Sequence, residues 1–257
     1  MAYKIVFFDI DGTLVNEDKK IPSDTKQAIQ QLKERNVQVV IATGRGPFHL
    51  KPIAEDLGID SFVSFNGSYV VYKGETILER PINASTLELL DACAYKKKHP
   101  IVYFSNIECH TSNHLHPHVK ESFESLRVTI PSYHPHYWKE AKVYQAMLKC
   151  QDFEEEYYLK GFLGLNFVRW HRVSLDVIPA GGSKAKGIEA VLQHLEISPQ
   201  EAVAFGDALN DREMLSYVGM GIAMGNAHQE LKPFADFITK PVNEGGIRYG
   251  LQEIGLI

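Results

Sequence analysis

The feature that most constrains this chain is a nine-residue stretch at residues 6–14, VFFDIDGTL. The apolar run Ile5–Phe8 is typical of a strand in the middle of a parallel sheet, where both faces are buried. Asp9 and Asp11 follow this run, and Gly12 allows a tight turn away from the strand. Ligands of open α/β sheets bind beyond the carboxyl ends of the strands, so both acids are expected in a binding site. Two adjacent buried carboxylates are unfavourable unless they bind a cation or transfer protons.

The same strand-and-turn pattern recurs along the chain, alternating with helical patterns. A second apolar run at residues 37–42 leads to Thr43, and a third at residues 62–65 leads to Asn66. Amphipathic helical segments separate these runs, as in βαβ units. We therefore predict an α/β fold with a doubly wound parallel sheet and helices on both faces.

A change of pattern after Pro81 indicates a second domain. Residues 101–178 combine predicted strands with polar helices, and they carry none of the strand-end polar motifs of the other segments. We predict a core domain formed by residues 1–82 and 180–257, with an inserted α+β domain at residues 83–179. The helix that opens the insertion is predicted to begin with a capping box, STLE, at Ser85.

Composition excludes several classes of function. The 257 residues are 44% apolar and 23% charged, with a net charge of −5, so there is no basic surface for nucleic acid or anionic membranes. No apolar run approaches the roughly 20 residues needed to span a bilayer, and no signal-peptide pattern is present. Cys93, Cys109 and Cys150 are scattered, which indicates neither a disulfide framework nor a thiolate zinc site. A cytoplasmic location is expected.

The remaining strand ends and helix starts add further charged groups. Lys184 opens a helical segment, and a buried run at residues 202–205 leads to Asp207, Asn210 and Asp211. With the earlier acids and Thr43, the chain offers a nucleophile, a proton donor, a hydroxyl, an ammonium and further carboxylates. This is the set of groups that phosphoryl transfer requires. Mg²⁺ prefers such oxygen ligands and commonly takes one or two carboxylates plus a substrate phosphate.

These motifs resemble those of the haloacid dehalogenase-like (HAD) hydrolase superfamily. DIDGT at residues 9–13 is similar to its first signature, TGR at residues 43–45 to its second, Lys184 to its third, and GDALND at residues 206–211 to its fourth. The downstream motifs resemble Cof-type, class IIB phosphatases, and the resemblance covers essentially the whole chain. It implies a Mg²⁺-dependent phosphatase that hydrolyses a small phosphate monoester, such as a sugar phosphate, through an aspartyl-phosphate. The insertion would be a cap that closes over the active site.

The resemblance also implies a role for individual residues. Asp9 would be the nucleophile, and Asp11 would protonate the leaving oxygen and later activate water. Asp9, Asp207 and the backbone carbonyl of Asp11 would bind the metal. Thr43 and Lys184 would contact the transferring phosphoryl group.

Further polar positions match the family at the edge of the site. Gly44, Arg45, Asn66 and Asn210 would contact phosphate or substrate. Asp211 would hold the catalytic lysine or the metal-bound waters in place.

Three alternatives remain open from the sequence. The family usually has glycine directly after its lysine, whereas this chain reads Lys184-Ala185-Lys186-Gly187, so Lys186 is an alternative. A phosphomutase of the phosphomannomutase type shares the D-x-D motif. A non-enzymatic ligand sensor on the same fold would be expected to lack one of the motif acids. Class IIB relatives act on sugar phosphates, pyridoxal phosphate and flavin-precursor phosphates, and nothing in the sequence selects among them.

The insertion also contains a group of histidines. The histidines considered as possible metal ligands are His110, His114, His116, His118, His134 and His136. Alternation at positions 114, 116 and 118 could place three imidazoles on one face of a strand, as a zinc site requires. Pro117 argues against a regular strand, so solvated loop histidines are expected.

Overall fold

The first apolar run forms a fully buried strand near the middle of a large sheet. The computed structural model describes residues 3–257. Its strands, in chain order, are β1 Ile5–Phe8, β2 Gln38–Ala42, β3 Phe62–Ser64, β4 Tyr69–Tyr72, β5 Glu75–Glu79, β6 Ile101–Phe104, β7 Cys109–Thr111, β8 Ser132–Tyr133, β9 Gln145–Leu148, β10 Leu165–His171, β11 Ser174–Pro179, β12 Ala202–Gly206, β13 Met220–Ala223 and β14 Phe237–Ile238. Its helices are α1 Ser23–Glu34, α2 Pro47–Leu57, α3 Ala84–Lys97, α4 Pro117–Leu126, α5 Glu156–Gly161, α6 Lys184–His194, α7 Arg212–Tyr217 and α8 Gly246–Glu253.

The larger sheet has eight strands in the order β14-β13-β12-β1-β2-β3-β4-β5. The six strands from β14 to β3 are parallel, whereas β4 and β5 continue the sheet as an antiparallel hairpin. The hairpin turn is Lys73-Gly74, where both residues have positive φ. The predicted α/β architecture is confirmed, with an antiparallel pair added at one edge of the parallel sheet.

The central strands are apolar because helices pack against the parallel sheet. α6 packs against α7 and against β2 to β5, while α1 packs against β2 and α8. Buried side chains from these helices, such as Ile29, Leu32 and Val191, join those of the central strands in one hydrophobic core. Parallel sheets in such folds are covered on their faces and therefore read as continuous hydrophobic runs.

The backbone separates into two compact units, the first being residues 1–45, 49–79 and 183–257 and the second residues 46–48 and 80–182. The second unit contains a six-stranded sheet in the order β10-β11-β9-β6-β7-β8. Apolar side chains of α3 and α5 form its own hydrophobic core with one face of this sheet. That the inserted segment acts as a cap stays a prediction.

Local details of the second unit differ from the sequence prediction. α3 begins at Ala84, because the side chain of Asn83 accepts a hydrogen bond from the backbone N–H of Ser85 at 2.9 Å. Ser85 is therefore not the capping residue, and the predicted capping box is wrong. The short strands β7 and β8 have too few residues to show the alternation of apolar and polar side chains that identifies a strand in a sequence. Within the described chain, residues 3–257, every helix is too short or too polar to traverse a lipid bilayer.

Candidate active site

Four neighbouring strands bring polar side chains to one edge of the larger sheet. Asp207 follows β12, Asp9 follows β1, Thr43 follows β2, and Asn66 lies in the turn after β3. These strands are parallel and adjacent, so their carboxyl ends meet. The backbone N–H of Asp9 donates to the carbonyl of Phe205 at 3.0 Å. This bond continues the hydrogen bonding between β1 and β12 as far as Asp9.

Asp9 lies in a buried ion-pair network with Lys184 and Asp211. The Lys184 Nζ donates to Asp9 Oδ1 and to Asp211 Oδ1, both at 2.5 Å. The lysine is 1% exposed and Asp211 is fully buried. Burial raises the pKa of Asp9, and the negative charges of Asp211 and Asp207 add to this while Lys184 opposes it. Burial disfavours the charged lysine, but Asp211 and Asp9 outweigh it and raise the pKa of Lys184.

The start of α6 determines which lysine reaches Asp9. Ser183 precedes the helix and its hydroxyl accepts from the backbone N–H of Lys186 at 3.4 Å. This arrangement directs Lys184 into the protein interior. Lys186 instead pairs with Glu189 at 2.8 Å and is exposed. Of the two lysines that the sequence left open, the structure places Lys184 against Asp9.

The acidic side chains fit a divalent cation. Oxygen atoms of Asp9, Asp207 and Asp211 lie within 4.8 Å of one another. When all three carboxylates are ionised, the single ammonium of Lys184 leaves two negative charges without compensation. Asp207 Oδ1 is buried and has no hydrogen-bond partner among the described residues, as expected of a ligand oxygen. Burial, with the charge of Asp211, raises the pKa of Asp207 to about 7.

Asp211 differs from the other two acids because both of its oxygens already have donors. Its Oδ2 accepts from the backbone N–H groups of Asp207 and Ala208, each at 2.9 Å, and its Oδ1 accepts from Lys184. This side chain therefore fixes the loop that carries Asp207 and orients the lysine. Asp9 and Asp207 are better suited to bind the metal directly.

Asp11 is held on the other side of the turn by two cations. Arg45 donates to both carboxylate oxygens, from Nε at 2.8 Å and from Nη2 at 2.6 Å, and Lys19 Nζ donates to Oδ1 at 2.6 Å. Burial favours the neutral acid, but these hydrogen bonds and charges outweigh it and lower the pKa of Asp11. In this arrangement the carboxylate is ionised. The Asp11 carboxylate is not part of the group of oxygen atoms formed by Asp9, Asp207 and Asp211.

The remaining predicted residues line the adjacent strand ends. Thr43 is 2% exposed and its hydroxyl accepts from the backbone N–H of Arg45 at 3.1 Å. Asn210 donates to the side chain of Asn66 at 3.1 Å, which joins the turn after β3 to the loop after β12. A Cβ atom at Gly44 would lie 3.1 Å from the Asn66 amide, so the two approach closely.

Two residues of this site were not predicted from the sequence. Lys19 lies in a charged loop, EDKK at residues 17–20, that reads as an ordinary solvated segment. Asn226 follows β13 and donates to the carbonyl of Gly12 at 2.8 Å, while its own oxygen accepts from the backbone N–H of Val242. The strand-end rule that selected Thr43 could have found Asn226, whereas no local signal identified Lys19.

The histidines of the second unit do not form the alternating set that a zinc site would need. Pro117 begins α4, so His116 precedes the helix and His118 lies within it. The His116 Nδ1 accepts from the backbone N–H of His118 at 3.1 Å. Within residues 3–257, the group that could hold a metal is the aspartate cluster of the first unit.

Comparison with known protein families identifies the chain. The model of the haloacid dehalogenase-like hydrolases matches residues 6–251. This chain belongs to the haloacid dehalogenase-like hydrolase family. The match includes every strand of both sheets except the first residue of β1.

This HAD hydrolase is similar to two proteins named as phosphatases and to a solved structure of a hypothetical protein. It is 44% identical over 257 residues, covering 100% of both chains, to the "Putative phosphatase YkrA" of Bacillus subtilis (strain 168). Among solved structures, a hypothetical protein from Geobacillus kaustophilus HTA426 is 48% identical with a TM-score of 0.97, and 100% of each chain is covered. The HAD subclass IIB sugar phosphatase BT4131 is 31% identical with a TM-score of 0.85, covering 99% of this chain and 100% of that one. The predicted family, subclass and enzyme class are confirmed, and the protein is a HAD phosphatase.

Proposed function

We propose that this HAD phosphatase hydrolyses a small phosphate monoester of the sugar phosphate type, with Mg²⁺, through a phosphoryl group carried on Asp9. The observation that carries the proposal is the buried Lys184 between Asp9 and Asp211, next to the unpartnered oxygen of Asp207. A carboxylate is a suitable nucleophile for phosphorus when an adjacent cation reduces its repulsion from the phosphate.

Asp9 performs the displacement. Lys184 donates to its Oδ1, which leaves Oδ2 as the attacking oxygen. Attack forms the Asp9–phosphorus bond as the bond to the leaving oxygen breaks. Water then cleaves the aspartyl-phosphate and releases inorganic phosphate, so one difficult displacement becomes two easier ones.

Asp9 and Asp207 would hold the metal, and Asp211 would keep them in position. The cation would supply charge neutralisation to a reaction in which an anion attacks an anion. Lys184 contributes a fixed positive charge from the protein itself. Thr43 and Asn210 donate hydrogen bonds to phosphoryl oxygens, and Arg45 contacts the substrate phosphate.

Asp11 supplies the proton to the leaving oxygen and later accepts one from water. It is ionised while Arg45 and Lys19 hold it. Proton donation therefore requires Asp11 to leave these partners and to take up a proton from solvent before it meets the leaving group. Arg45 would be drawn from Asp11 by the substrate phosphate, because a phosphate dianion is a stronger anionic partner than one carboxylate.

A phosphate-release screen tests the activity. Purified protein is assayed on sugar phosphates and p-nitrophenyl phosphate with Mg²⁺, with excess Ca²⁺, and with chelator. We expect release with Mg²⁺, inhibition by Ca²⁺ because its longer and more numerous ligand contacts misplace the nucleophile, and none with chelator. Full activity in chelator would remove the metal from the mechanism. An isomerised sugar phosphate without free phosphate would identify a mutase instead.

The role of Asp11 is tested by varying the leaving group. A sugar alkoxide needs a proton as it leaves, whereas nitrophenolate leaves readily without one. Asp11→Asn should slow the first, burst-phase step by about 10²–10⁴-fold with a sugar phosphate, and by much less with p-nitrophenyl phosphate. Equal slowing with both substrates would assign Asp11 a structural role.

A further inference from the structure

The turn that follows β1 lies directly against the side chain of Asp207. Gly12 has a φ of +79°, and a Cβ atom at this position would overlap Asp207 Oδ2. The backbone of the turn therefore touches the carboxylate with no side chain between them. Asp9 and Asp11 precede Gly12 in the same turn. A shift of this turn would change the separation of the groups that are proposed to hold the metal.

The turn is fixed in part by its own backbone hydrogen bonds. The N–H of Gly12 donates to the carbonyl of Val15 at 2.9 Å, and the N–H of Thr13 donates to the carbonyl of Ile10 at 3.3 Å. A peptide unit is planar, so each N–H also fixes the direction of the carbonyl in its own peptide. The N–H of Gly12 in this way orients the carbonyl of Asp11.

The side chain of Asn226 holds the same turn from outside. Its Nδ2 donates to the carbonyl of Gly12 at 2.8 Å, and its Oδ1 accepts from the backbone N–H of Val242 at 2.8 Å. Both polar ends of one amide are thus bound to backbone groups of distant segments. Since backbone groups cannot change rotamer, these two bonds fix the turn relative to the segment that contains Val242.

The loop that carries Asn226 also contacts the backbone of Asp207. This loop, residues 224–228, follows β13. The N–H of His228 donates to the carbonyl of Asp207 at 2.8 Å. One loop therefore binds the segment of Asp207 through its backbone and the turn of Gly12 through Asn226. The relative position of the two segments depends on this loop.

Mg²⁺ and Ca²⁺ differ in how much displacement of their ligands they tolerate. Mg²⁺ requires near-octahedral contacts at about 2.0–2.1 Å, whereas Ca²⁺ accepts about six to eight oxygens at about 2.3–2.6 Å in variable geometry. A displaced turn should therefore weaken the binding of Mg²⁺ more than the binding of Ca²⁺.

We propose that Asn226 is a positioning residue that fits the metal site to Mg²⁺ in preference to Ca²⁺. It acts through the carbonyl of Gly12 and is not itself a ligand. This inference rests on the proposed function, in which Asp9 and Asp207 hold Mg²⁺. Side chains that orient the ligands of a metal typically change its affinity by about 10–100-fold when they are replaced.

Metal-dependent stability measures this effect without an activity assay. Unfolding in urea is followed by circular dichroism in chelator and over a series of Mg²⁺ or Ca²⁺ concentrations. An ion that binds only the folded protein raises the free energy of unfolding by an amount set by its concentration and its Kd. The stability in chelator records any structural loss separately, so Kd reports on the site itself.

Asn226→Ala removes both hydrogen bonds of the amide. We expect Kd for Mg²⁺ to rise by about tenfold or more. Kd for Ca²⁺ should rise by no more than about threefold, because its coordination adapts to displaced ligands. The preference for Mg²⁺ over Ca²⁺ should therefore fall by at least about threefold.

Asn226→Asp separates the two hydrogen bonds. The carboxylate still accepts from the N–H of Val242, but it has no proton for the carbonyl of Gly12 and repels that oxygen. Its added charge attracts two divalent ions alike, so the ratio of their Kd values reports on the geometry. We expect the same fall in the preference for Mg²⁺. This variant keeps the test valid if Asn226→Ala does not fold.

Asn243 provides the matched control. It is exposed, follows Val242 directly, and its amide bonds the side chains of Asn16 and Glu17. Asn243→Ala and Asn243→Asp make the same chemical changes without removing a bond to Gly12. The ratio of the two Kd values should stay as in the unmodified protein.

Two results would overturn this inference and leave the proposed function intact. Asn226 variants with the same Kd values as the Asn243 variants would show that Asn226 does not position the site. Equal weakening of Mg²⁺ and Ca²⁺ binding would show a general disturbance in place of a fit to Mg²⁺. Failure of the proposed metal site gives a different result, because the unmodified protein would then gain no stability from Mg²⁺, or Asp207→Asn would keep that gain. That result would remove the metal site and this inference together.

Discussion

Lys184 holds together two carboxylates that would otherwise repel each other. Asp9 and Asp211 both accept from its Nζ, and all three side chains are buried. Removing one partner of a buried ion pair is strongly unfavourable because it leaves an uncompensated charge. Substitutions in this network are therefore expected to affect activity and stability to different degrees, depending on which contact each residue makes.

Asp9→Asn should abolish turnover and preserve the fold. The amide has nearly the same shape, and Lys184 keeps its contact with Asp211, but the nucleophile is lost. We expect phosphate release to fall by at least about 10³-fold, with an unchanged circular dichroism spectrum. Asp18→Asn, the same change at an exposed position, is the control and should leave the rate unaltered. A folded Asp9→Asn protein that still releases phosphate rapidly would contradict the covalent mechanism.

Asp211→Asn should lower both stability and turnover. Its two oxygens accept from the backbone N–H groups of Asp207 and Ala208 and from Lys184, so an amide NH₂ would face a donor. We expect the free energy of unfolding in urea to fall by about 1–3 kcal/mol, and kcat to fall because the lysine loses its anchor.

The control for that variant is Asp236→Asn. Asp236 is exposed and accepts a hydrogen bond from the backbone N–H of Gly221 at 2.8 Å. Its substitution should cost less stability and leave kcat unchanged. Equal effects of the two substitutions would mean that Asp211 has no special role.

At the scale of elements, the start of α6 is positioned by glycine. A Cβ atom at Gly67 would lie 2.0 Å from the carbonyl oxygen of Ser183, and one at Gly187 would lie 2.3 Å from Val63 Cγ1. The turn after β3 and the first turn of α6 therefore touch through backbone atoms. Gly187, three residues after Lys184, allows this close approach of α6 to the sheet. The position directly after the lysine, where the family usually has glycine, is occupied here by Ala185.

Gly67→Ala should displace α6 and with it Lys184. We expect the free energy of unfolding to fall by about 1–3 kcal/mol from the steric clash, in addition to the strain of a side chain at positive φ, and kcat to fall. Gly74→Ala is the matched control, because its φ of +81° is also positive but nothing lies within 4 Å of the new Cβ. The prediction fails if the two variants lose the same stability in urea and retain the same kcat.

At the scale of the whole molecule, the buried Lys149 and Asp176 should shape how stability depends on pH. Burial raises the pKa of Asp176 to about 7, with Lys149 opposing this, so between pH 4 and 7 the folded state binds more protons than the unfolded one. Its contribution to stability therefore falls as pH rises to 7. Burial lowers the pKa of Lys149 to about 7, with Asp176 opposing, so its contribution recovers as pH rises above 7.

The pair is consequently least favourable near pH 7. We expect the double variant Lys149→Met/Asp176→Asn to gain the most stability over the unmodified protein at pH 7, and less at pH 5 and pH 9. Urea unfolding followed by circular dichroism at the three pH values measures this difference. Lys160→Met/Glu156→Gln, which removes an exposed pair, is the control and should show no such maximum. A gain that does not vary with pH would show that the buried pair does not titrate in this range.

The α/β fold and the strand ends at which the polar side chains lie could be predicted from local sequence patterns. Apolar runs followed by polar residues are local patterns, and parallel neighbouring strands bring their carboxyl ends together without further information. For that reason Asp9, Thr43 and Asp207 could be assigned to one edge of the sheet from their positions alone. Asn226 meets the same criterion and could have been predicted in the same way.

Which of these side chains contact one another depends on how distant segments of the chain pack. Lys184 rather than Lys186 faces Asp9 because of the direction in which α6 enters the sheet, and that contact joins residues 175 positions apart. The pairing of Asp11 with Lys19 and the burial of Asp176 likewise depend on how separate segments pack. Such contacts leave no period or spacing in the sequence, since the distance between two side chains is set by the path of the backbone that lies between them.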